Sequence, residues 1–507
     1  MLSLTGGFRR NRLEDLERRL MTAGSYPEWL AAAGEHDALS GAEVWKAGED
    51  NAIYDAIDIR RRHDWLARAV QARDAEDLLF TLNEGIHGNM GGMGNPALYS
   101  VAKSGTKTLV ENYVAAIVDA LYVVAAAPEN EIGFAEKLDF FHRAALCYGR
   151  SALLLSGGGG LVYFHHGVVE SLLEEGLLPN VLAGSSAGAW MCAQIGTRTD
   201  AELQGYFANK RYSSETTGSI RSMALRMRSA KKDPTAGKAR DEVVEGLVDD
   251  LTFAEAFEHS GRHINISIAS GDQHHRARLL NAITSPNVTL RSACRASASI
   301  PQFVDPVMLE AKNRHGKTVP YLPNQRWIDG AFGDDLPIKR LARLYGVNHF
   351  VVSQINLISA IVPFIRPDPK SGREGALHDS SQLLVAALRG SAKLAKRSLG
   401  PLARKRDDSV LATAYRVLDQ DYSGDITISA QFSRKSLQHM AFRYERPEEI
   451  EALIDDGRRA TWPRIEQIRN ASVISSALDR ILARLDADAA ARCHPAPRRA
   501  GTGTTRS

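Results

Sequence analysis

Two corners built of small residues stand on either side of one short helical stretch: the run Gly157–Gly160, and Gly184-Ser185-Ser186-Ala187-Gly188. Two kinds of chemistry use corners like these. One is phosphate binding by a glycine loop. The other is acyl transfer, in which one corner presents a nucleophile and the other presents backbone N–H groups. The spacing argues against phosphate. A dinucleotide fingerprint needs G-x-G-x-x-G/A, and its last position falls on Val162 counted from Gly157 and on Tyr163 counted from Gly158. A P-loop needs G-K-S/T, which does not follow.

The serine corner fits G-x-S-x-G, with the strand-like Val181-Leu182-Ala183 before it and the helical Ala189–Ile195 after it. That is the strand, sharp turn and helix a nucleophile elbow requires. The turn is tight, so a Cβ at either glycine would meet neighbouring backbone. The strain lifts Ser186 Oγ above the sheet edge, and the next helix offers its N-terminus to an anion. The bland alternative is a Gly/Ser corner that only reverses the chain. If Ser186 attacks, the first corner has a purpose. Glycines turn successive N–H groups toward one point, and such a donor to an oxyanion is worth about 3 kcal/mol.

A serine hydroxyl also needs something to take its proton. Among later residues His274, His275, His349, His378 and His439 sit in no telling pattern. Asp329, in RWIDGAFGDDLPI, follows the apolar Trp327-Ile328 and precedes Gly330, which suits a strand-end turn projecting a carboxylate into a crevice.

The glycine turn ending in FHHGVV, the GSSAG elbow and the IDGAF aspartate, in this order, resemble the patatin-like lipases and phospholipases. The resemblance implies a Ser–Asp dyad without histidine: Ser186 as nucleophile, Asp329 as its base partner, and Gly157, Gly158, Gly159 and Gly160 as the oxyanion turn. Thr284–Val307 resembles the segment that patatins carry ahead of the aspartate. Many patatins place Arg or Lys just after the glycines; here Leu161 and Val162 follow, so no side-chain cation is expected to assist. Trp45-Lys46, Tyr54-Asp55, His87–Tyr99 and Gly105–Tyr113 resemble the N-terminal helical region of yeast and plant storage-lipid triacylglycerol lipases. Val351–Asn356, Gln420–Ile428 and Thr461–Ala471 resemble their C-terminal extension, although NLISAIVPF lacks a histidine expected after its asparagine.

The elements that must position these residues follow from periodicity. Apolar residues recur at three and four through Trp65, Leu66, Val70, Leu78, Leu79 and Leu82, so residues 1–148 read as helical. Short apolar runs at Ala152–Leu155, Val181–Ala183, Ile264–Ala269 and Phe350–Ile355 read as buried strands, and Gly167–Glu175 as a helix between the first two. Strand, helix, strand at this spacing is a βαβ unit. The expected fold is therefore α/β, and the family resemblance makes it a three-layer α/β/α with a mainly parallel central sheet. The catalytic domain is drawn at 149–345, a mostly helical extension at 346–485 with a further strand near Asp425–Phe432, and a disordered tail at 486–507. Thr216–Arg240 reads as a mobile insertion or lid. Leu384, Leu388, Ala392, Ala395, Leu399 and Leu402 form an apolar stripe opposite Arg389, Lys393, Lys396 and Arg397, a pattern that suits an anionic lipid surface or ordinary core packing. His165 and His166 read as packing or capping residues, and His259 with His263 lack the glutamate of a zinc helix.

Composition narrows the class. A chain of 507 residues, 44% hydrophobic and 24% charged, has the make-up of a soluble globular protein of two or three domains. A net charge of +3 gives no reason to expect nucleic acid. Cys147, Cys192, Cys294 and Cys493 are scattered without a C-x-x-C pair, so neither a metal site nor a disulfide framework is expected, and a reducing compartment fits. The first twenty residues mix Arg with Asp and Glu and hold no apolar run, unlike a signal peptide. The apolar stretches Ile117–Ala127 and Leu357–Ile365 fall short of the about 20 residues that span a bilayer. The expectation is a cytoplasmic serine esterase, without cofactor or metal, acting on long-chain acyl esters of glycerolipids, triacylglycerol first, and touching a membrane or lipid-droplet surface peripherally. Phospholipase A or lysophospholipid acyltransferase activity through the same dyad, a non-catalytic lipid-surface protein on this fold, and an ordinary Ser-His-Asp hydrolase are the alternatives.

Overall fold

The computed structural model describes residues 2–49, 52–209, 241, 244–271, 277–300, 304–356, 424–431, 439 and 448–493. They divide into two compact units, one of Met1–Leu13, Ala33–Arg150 and Glu466–Ser507, the other of Glu14–Ala32 and Ser151–Ile465. The expected lid, Thr216–Arg240, and the stripe Leu384–Leu402 lie outside the described residues.

The first unit is helical. Helices Ala56–Ala72 and Ala75–Gly85 start at Asp55 and Asp74, whose carboxylates accept the N–H groups of Asp58 and Asp77. Helix Thr108–Ala126 is long and apolar enough to cross a membrane by length and composition. Its Val110, Tyr113, Leu121 and Val124 are instead buried in one cluster with Ile59, Leu78, Phe141 and Leu478. Lys107, just before it, donates to the carbonyls of Trp45 at 2.6 Å and Gly48 at 2.9 Å and lies over the Trp45 ring. Two separated motifs of the N-terminal region therefore meet in one buried cation site. The last helix, Ile465–Cys493, runs past Leu485, where the sequence reading began a disordered tail. Its alanine-rich end favours helix, and Arg492 anchors it by pairing with Glu129 and stacking on Phe134.

The second unit is built on a sheet. Its strands are β1 (Arg150–Leu155), β2 (Val181–Gly184), β3 (His263–Ser270), β4 (Arg278–Leu280), β5 (Leu309–Lys312), β6 (Thr318–Tyr321), β7 (Trp327–Asp329), β8 (Val347–Gln354) and β9 (Ile426–Ser429). The order is β4-β3-β2-β1-β8-β9, with β7 also on β3, while β5 and β6 form a separate hairpin. β1, β2 and β3 run parallel, with Leu155 beside Gly184 and Gly184 beside Ile266; β8 and β9 are parallel as well. β4 and β7 pair antiparallel with β3. The central strands are buried on both faces, as parallel strands must be. The four expected strands and the mainly parallel sheet are present. β7 is the strand end expected just before Gly330, whereas β4, β5 and β6, short strands without a run of apolar residues to mark them, were not foreseen.

The helix between β1 and β2 spans Val162–Glu174 and starts five residues before the expected Gly167, directly out of the glycine turn. Gly167 is internal to it for a packing reason. Helix Glu448–Thr461 crosses so closely that a Cβ on Gly167 would lie 1.9 Å from the Ile454 carbonyl oxygen, and one on Gly457 2.2 Å from that of Phe164. Arg458 closes the crossing, reaching Glu170 at 3.5 Å and Glu174 at 3.2 Å. This late segment is thus built into the sheet-bearing unit and braces the helix that leaves the glycine turn.

Replacing either crossing glycine by alanine (Gly167→Ala or Gly457→Ala) is expected to destabilise the protein by about 2 kcal/mol or more in urea unfolding. Gly205→Ala, in an exposed helix with open space around it, should be neutral or stabilise by up to ~1 kcal/mol. Equal effects at all three positions would contradict the close crossing.

Candidate active site

β1 and β2 end side by side, and each end opens into one of the two corners. After β2 the chain turns through Ser185 and Ser186 into helix Ala187–Gly196. Ser186 has φ 49° and ψ −116°, a conformation that costs a non-glycine residue about 1–3 kcal/mol. Its surroundings hold it there. The Ser186 N–H donates to Ser297 Oγ at 2.8 Å, and the Ser297 hydroxyl donates to the Ser267 carbonyl of β3 at 2.8 Å. The elbow glycines are there for close approach: a Cβ on Gly188 would lie 1.9 Å from the Leu155 carbonyl oxygen, and one on Gly184 2.4 Å from the Gly188 backbone.

β1 leads through Ser156 into Gly157–Gly160. A Cβ on Gly157 would lie 3.3 Å from Ser186 Cβ, so the glycine turn sits against the serine elbow. Its amides are not equivalent. The Gly157 N–H donates to Asp335 Oδ1 at 3.0 Å and is committed; Gly160 lies within the short turn Gly159–Leu161. Among the described residues no acceptor takes the N–H of Gly158 or Gly159. Of the four glycines expected to donate to an oxyanion, these two keep that capacity, and Gly157 serves the frame instead.

Asp329 ends β7, opposite Ile268 of β3. Its N–H donates to the Ser299 carbonyl at 3.0 Å, and its Oδ1 accepts the Ala331 N–H at 2.9 Å. Asp329 is 2% exposed, and the Ser186 side chain comes close enough to its carboxyl to act on its pKa. Burial raises its pKa to about 7; the nearby Ser186 side chain and the hydrogen bond from Ala331 act against the rise, and the Asp335 carboxylate adds to it. Two residues far apart in the chain are thus brought together, and a carboxylate of this basicity is matched to taking a proton near neutral pH.

The histidines do other work. His165 is buried, with Nε2–H donating to the Ser156 carbonyl at 2.9 Å and Nδ1 accepting from the Ser353 hydroxyl at 2.7 Å. Burial pushes its pKa down to about 4, so it stays neutral and braces β1 against β8, a packing role. His349 contacts Ser151 Oγ at 3.2 Å, four residues before Leu155 and so about 13 Å down the strand from the elbow. His439 faces Glu449 at 3.5 Å, His259 faces Glu202 at 3.0 Å, and His263 stacks on Phe257. His274, His275 and His378 lie outside the described residues.

Sequence reasoning missed four participants: Asp335, Ser185, Ser297 and Asn356. Asp335 is fully buried. Its Oδ1 also accepts the Ser185 hydroxyl, and its Oδ2 accepts from the Asn356 side chain at 3.3 Å. The only signal for it was the acid doublet in GDDLPI, and an acid pair after glycine ordinarily reads as a solvated turn. Ser297 lies within Thr284–Val307, which was noted as a segment without any one residue being singled out.

Residues 153–342 match the family model described as patatin-like phospholipase, and residues 8–146 match a domain of unknown function, DUF3336. Over 93% of its length the chain is 30% identical to a patatin-like phospholipase domain-containing protein of Pyricularia oryzae, covering 63% of that protein. It is 31% identical to a triacylglycerol lipase of Arabidopsis thaliana, over 93% of this chain and 58% of that one. A patatin-like phospholipase domain-containing protein of Aspergillus fumigatus is 30% identical, over 92% of this chain and 69% of that one. The chain therefore spans roughly three-fifths to two-thirds of these curated relatives.

The raised pKa of Asp329 carries a stability cost with a definite sign. Between the ordinary carboxylate pKa and about 7 the folded state holds a proton that the unfolded state has released, so folding is penalised increasingly as pH rises through this window. Asp329→Asn should therefore melt at a higher temperature than wild type, most clearly above pH 7, with the gap closing as pH falls toward 4. A variant less stable than wild type at pH 8 would contradict the assignment.

Proposed function

The chain belongs to the patatin-like phospholipase family, and we propose that it hydrolyses long-chain acyl esters of glycerolipids through a Ser186–Asp329 dyad, with triacylglycerol as the first substrate. The observation that carries this reading is the approach of the Ser186 side chain, on its strained turn, to the buried Asp329 carboxyl, close enough to lower that carboxyl's pKa.

Ser186 Oγ attacks the ester carbonyl while its proton passes to the Asp329 carboxylate. The amides of Gly158 and Gly159 receive the oxyanion. Collapse expels the glycerolipid alkoxide, which takes the proton from Asp329, and leaves an acyl-serine. Water then gives a proton to Asp329 as it attacks the acyl group, the fatty acid departs, and the proton returns to Ser186 Oγ.

The preference for triacylglycerol draws support from the likeness to the Arabidopsis lipase along 93% of the chain. Phospholipase A action and acyl transfer to a lysolipid use the same acyl-serine and differ in the ester offered or in the acceptor. The reading places the protein in the cytoplasm, in peripheral contact with a lipid surface, since that is where such substrates are found.

Fatty-acid release from triolein and from phosphatidylcholine tests it. Wild type should act on both, faster on triolein, and Ser186→Ala should lose both by on the order of 10³-fold or more. Because Asp329 must be ionised, kcat/KM should rise with pH through a limb near 7. Activity that survives Ser186→Ala removes the mechanism. A wild type that binds lipid vesicles and releases no fatty acid supports the non-catalytic alternative.

A further inference from the structure

We propose that Asp335 is a positioning residue of this site: its buried carboxylate ties the glycine turn, the serine elbow and the end of β8 to one another, and so fixes the oxyanion donors relative to Ser186. The proposal rests on the reading of Ser186 and Asp329 as an ester-hydrolysing dyad.

The donors to Asp335 come from three separate parts of the fold. Oδ1 receives the Gly157 N–H at 3.0 Å and the hydroxyl of Ser185, the residue next to the nucleophile; Oδ2 receives the Asn356 amide at 3.3 Å. A carboxylate buried without such donors would be too costly to keep ionised. With them it becomes a hub. Ser156, just ahead of Gly157, is fixed by the same strand end, because its Oγ accepts the Ile355 N–H at 2.8 Å. Gly157 is thus held on both sides, and the direction of the amides that follow it is held too. Removing Asp335 would leave the Gly157 N–H without its acceptor inside the protein and free the turn to rotate. A displacement of about 1 Å in a donor aimed at a transition state is enough to cost on the order of 10²-fold in rate.

The same carboxylate has an electrostatic effect. Its charge makes Asp329 hold its proton more tightly, and so moves the base toward neutral pH. Burial raises the pKa of Asp335 itself; its three hydrogen-bond donors act against that, while the neighbouring Asp334, paired with Arg340 at 3.4 Å, adds slightly to it. The acid doublet of GDDLPI therefore divides its work: Asp334 faces a surface arginine, and Asp335 faces the reaction.

The test is the pH–rate profile of p-nitrophenyl butyrate hydrolysis by wild type, Ser186→Ala, Asp335→Asn and Asp335→Ala, with a thermal melt of each. Loss of hydrolysis in Ser186→Ala checks the dyad first; if it fails there, the underlying reading is at fault. Asp335→Ala should lower kcat at least about tenfold while KM changes less than about threefold. In Asp335→Asn the amide oxygen keeps accepting from Gly157 and Ser185, and Asn356 turns over to meet the new NH₂. That variant should stay folded and keep much of its rate, but its acidic limb should move to lower pH because a like charge is gone. A purely structural Asp335 would lower the melting temperature and leave the limb in place. A folded Asp335→Ala with kcat within about twofold of wild type, or a folded Asp335→Asn with an unmoved limb, overturns the proposal. If the alanine variant does not fold, the asparagine variant alone decides.

Discussion

The proton transfer proposed from Ser186 to Asp329 can run at neutral pH only while water is kept from the carboxyl. In water an aspartate near pKa 4 is too weak a base to draw a proton from an alcohol. At 2% exposure, with a pKa near 7, it is better matched to that task. Dryness comes from the fold. β7 lies on β3, the Asp329 N–H is taken by Ser299, and the chain then turns back through Ala331, whose N–H the carboxyl accepts. The protein accepts a less stable carboxyl in return for a more basic one.

The rest of the site is an arrangement for bringing backbone close to that pair. Gly184 and Gly188 let the elbow press on β1; Ser297 takes the Ser186 amide and holds its positive φ. Asp335 takes the amide of Gly157 and leaves those of Gly158 and Gly159 without an acceptor among the described residues. Several of these supports come from beyond residue 342, where the match to the patatin-like model ends. Ser353, Ile355 and Asn356 at the end of β8 hold His165, Ser156 and Asp335, and helix Glu448–Thr461 braces the helix that follows the glycine turn. The working unit is larger than the segment that carries the recognisable motifs.

What could be read from the sequence was whatever repeats at short range. G-x-S-x-G declares its elbow because the glycines and the serine lie within five positions, and Asp329 declares itself by a strand end followed by glycine. The parallel strands were readable as apolar runs. The partners of Asp335 were not, since they lie 150 or more residues before it or 21 after it in the chain and meet only once the sheet has formed. Nor does any periodicity separate one glycine amide from the next; which of them is taken depends on a carboxylate whose burial no local pattern reports. The short strands β4, β5 and β6 and the last turns of helix Ile465–Cys493 escaped for the opposite reason. Their composition is local, but tertiary pairing decides whether they order.

The most direct measurement of the central claim is the site and base dependence of covalent labelling. After reaction with a fluorophosphonate, peptide mass spectrometry should find the adduct on Ser186, and Asp329→Asn should suppress its formation in a protein that still melts cooperatively. An adduct that forms undiminished in that variant, or one lost only when a histidine is replaced, would show that some other group takes the proton.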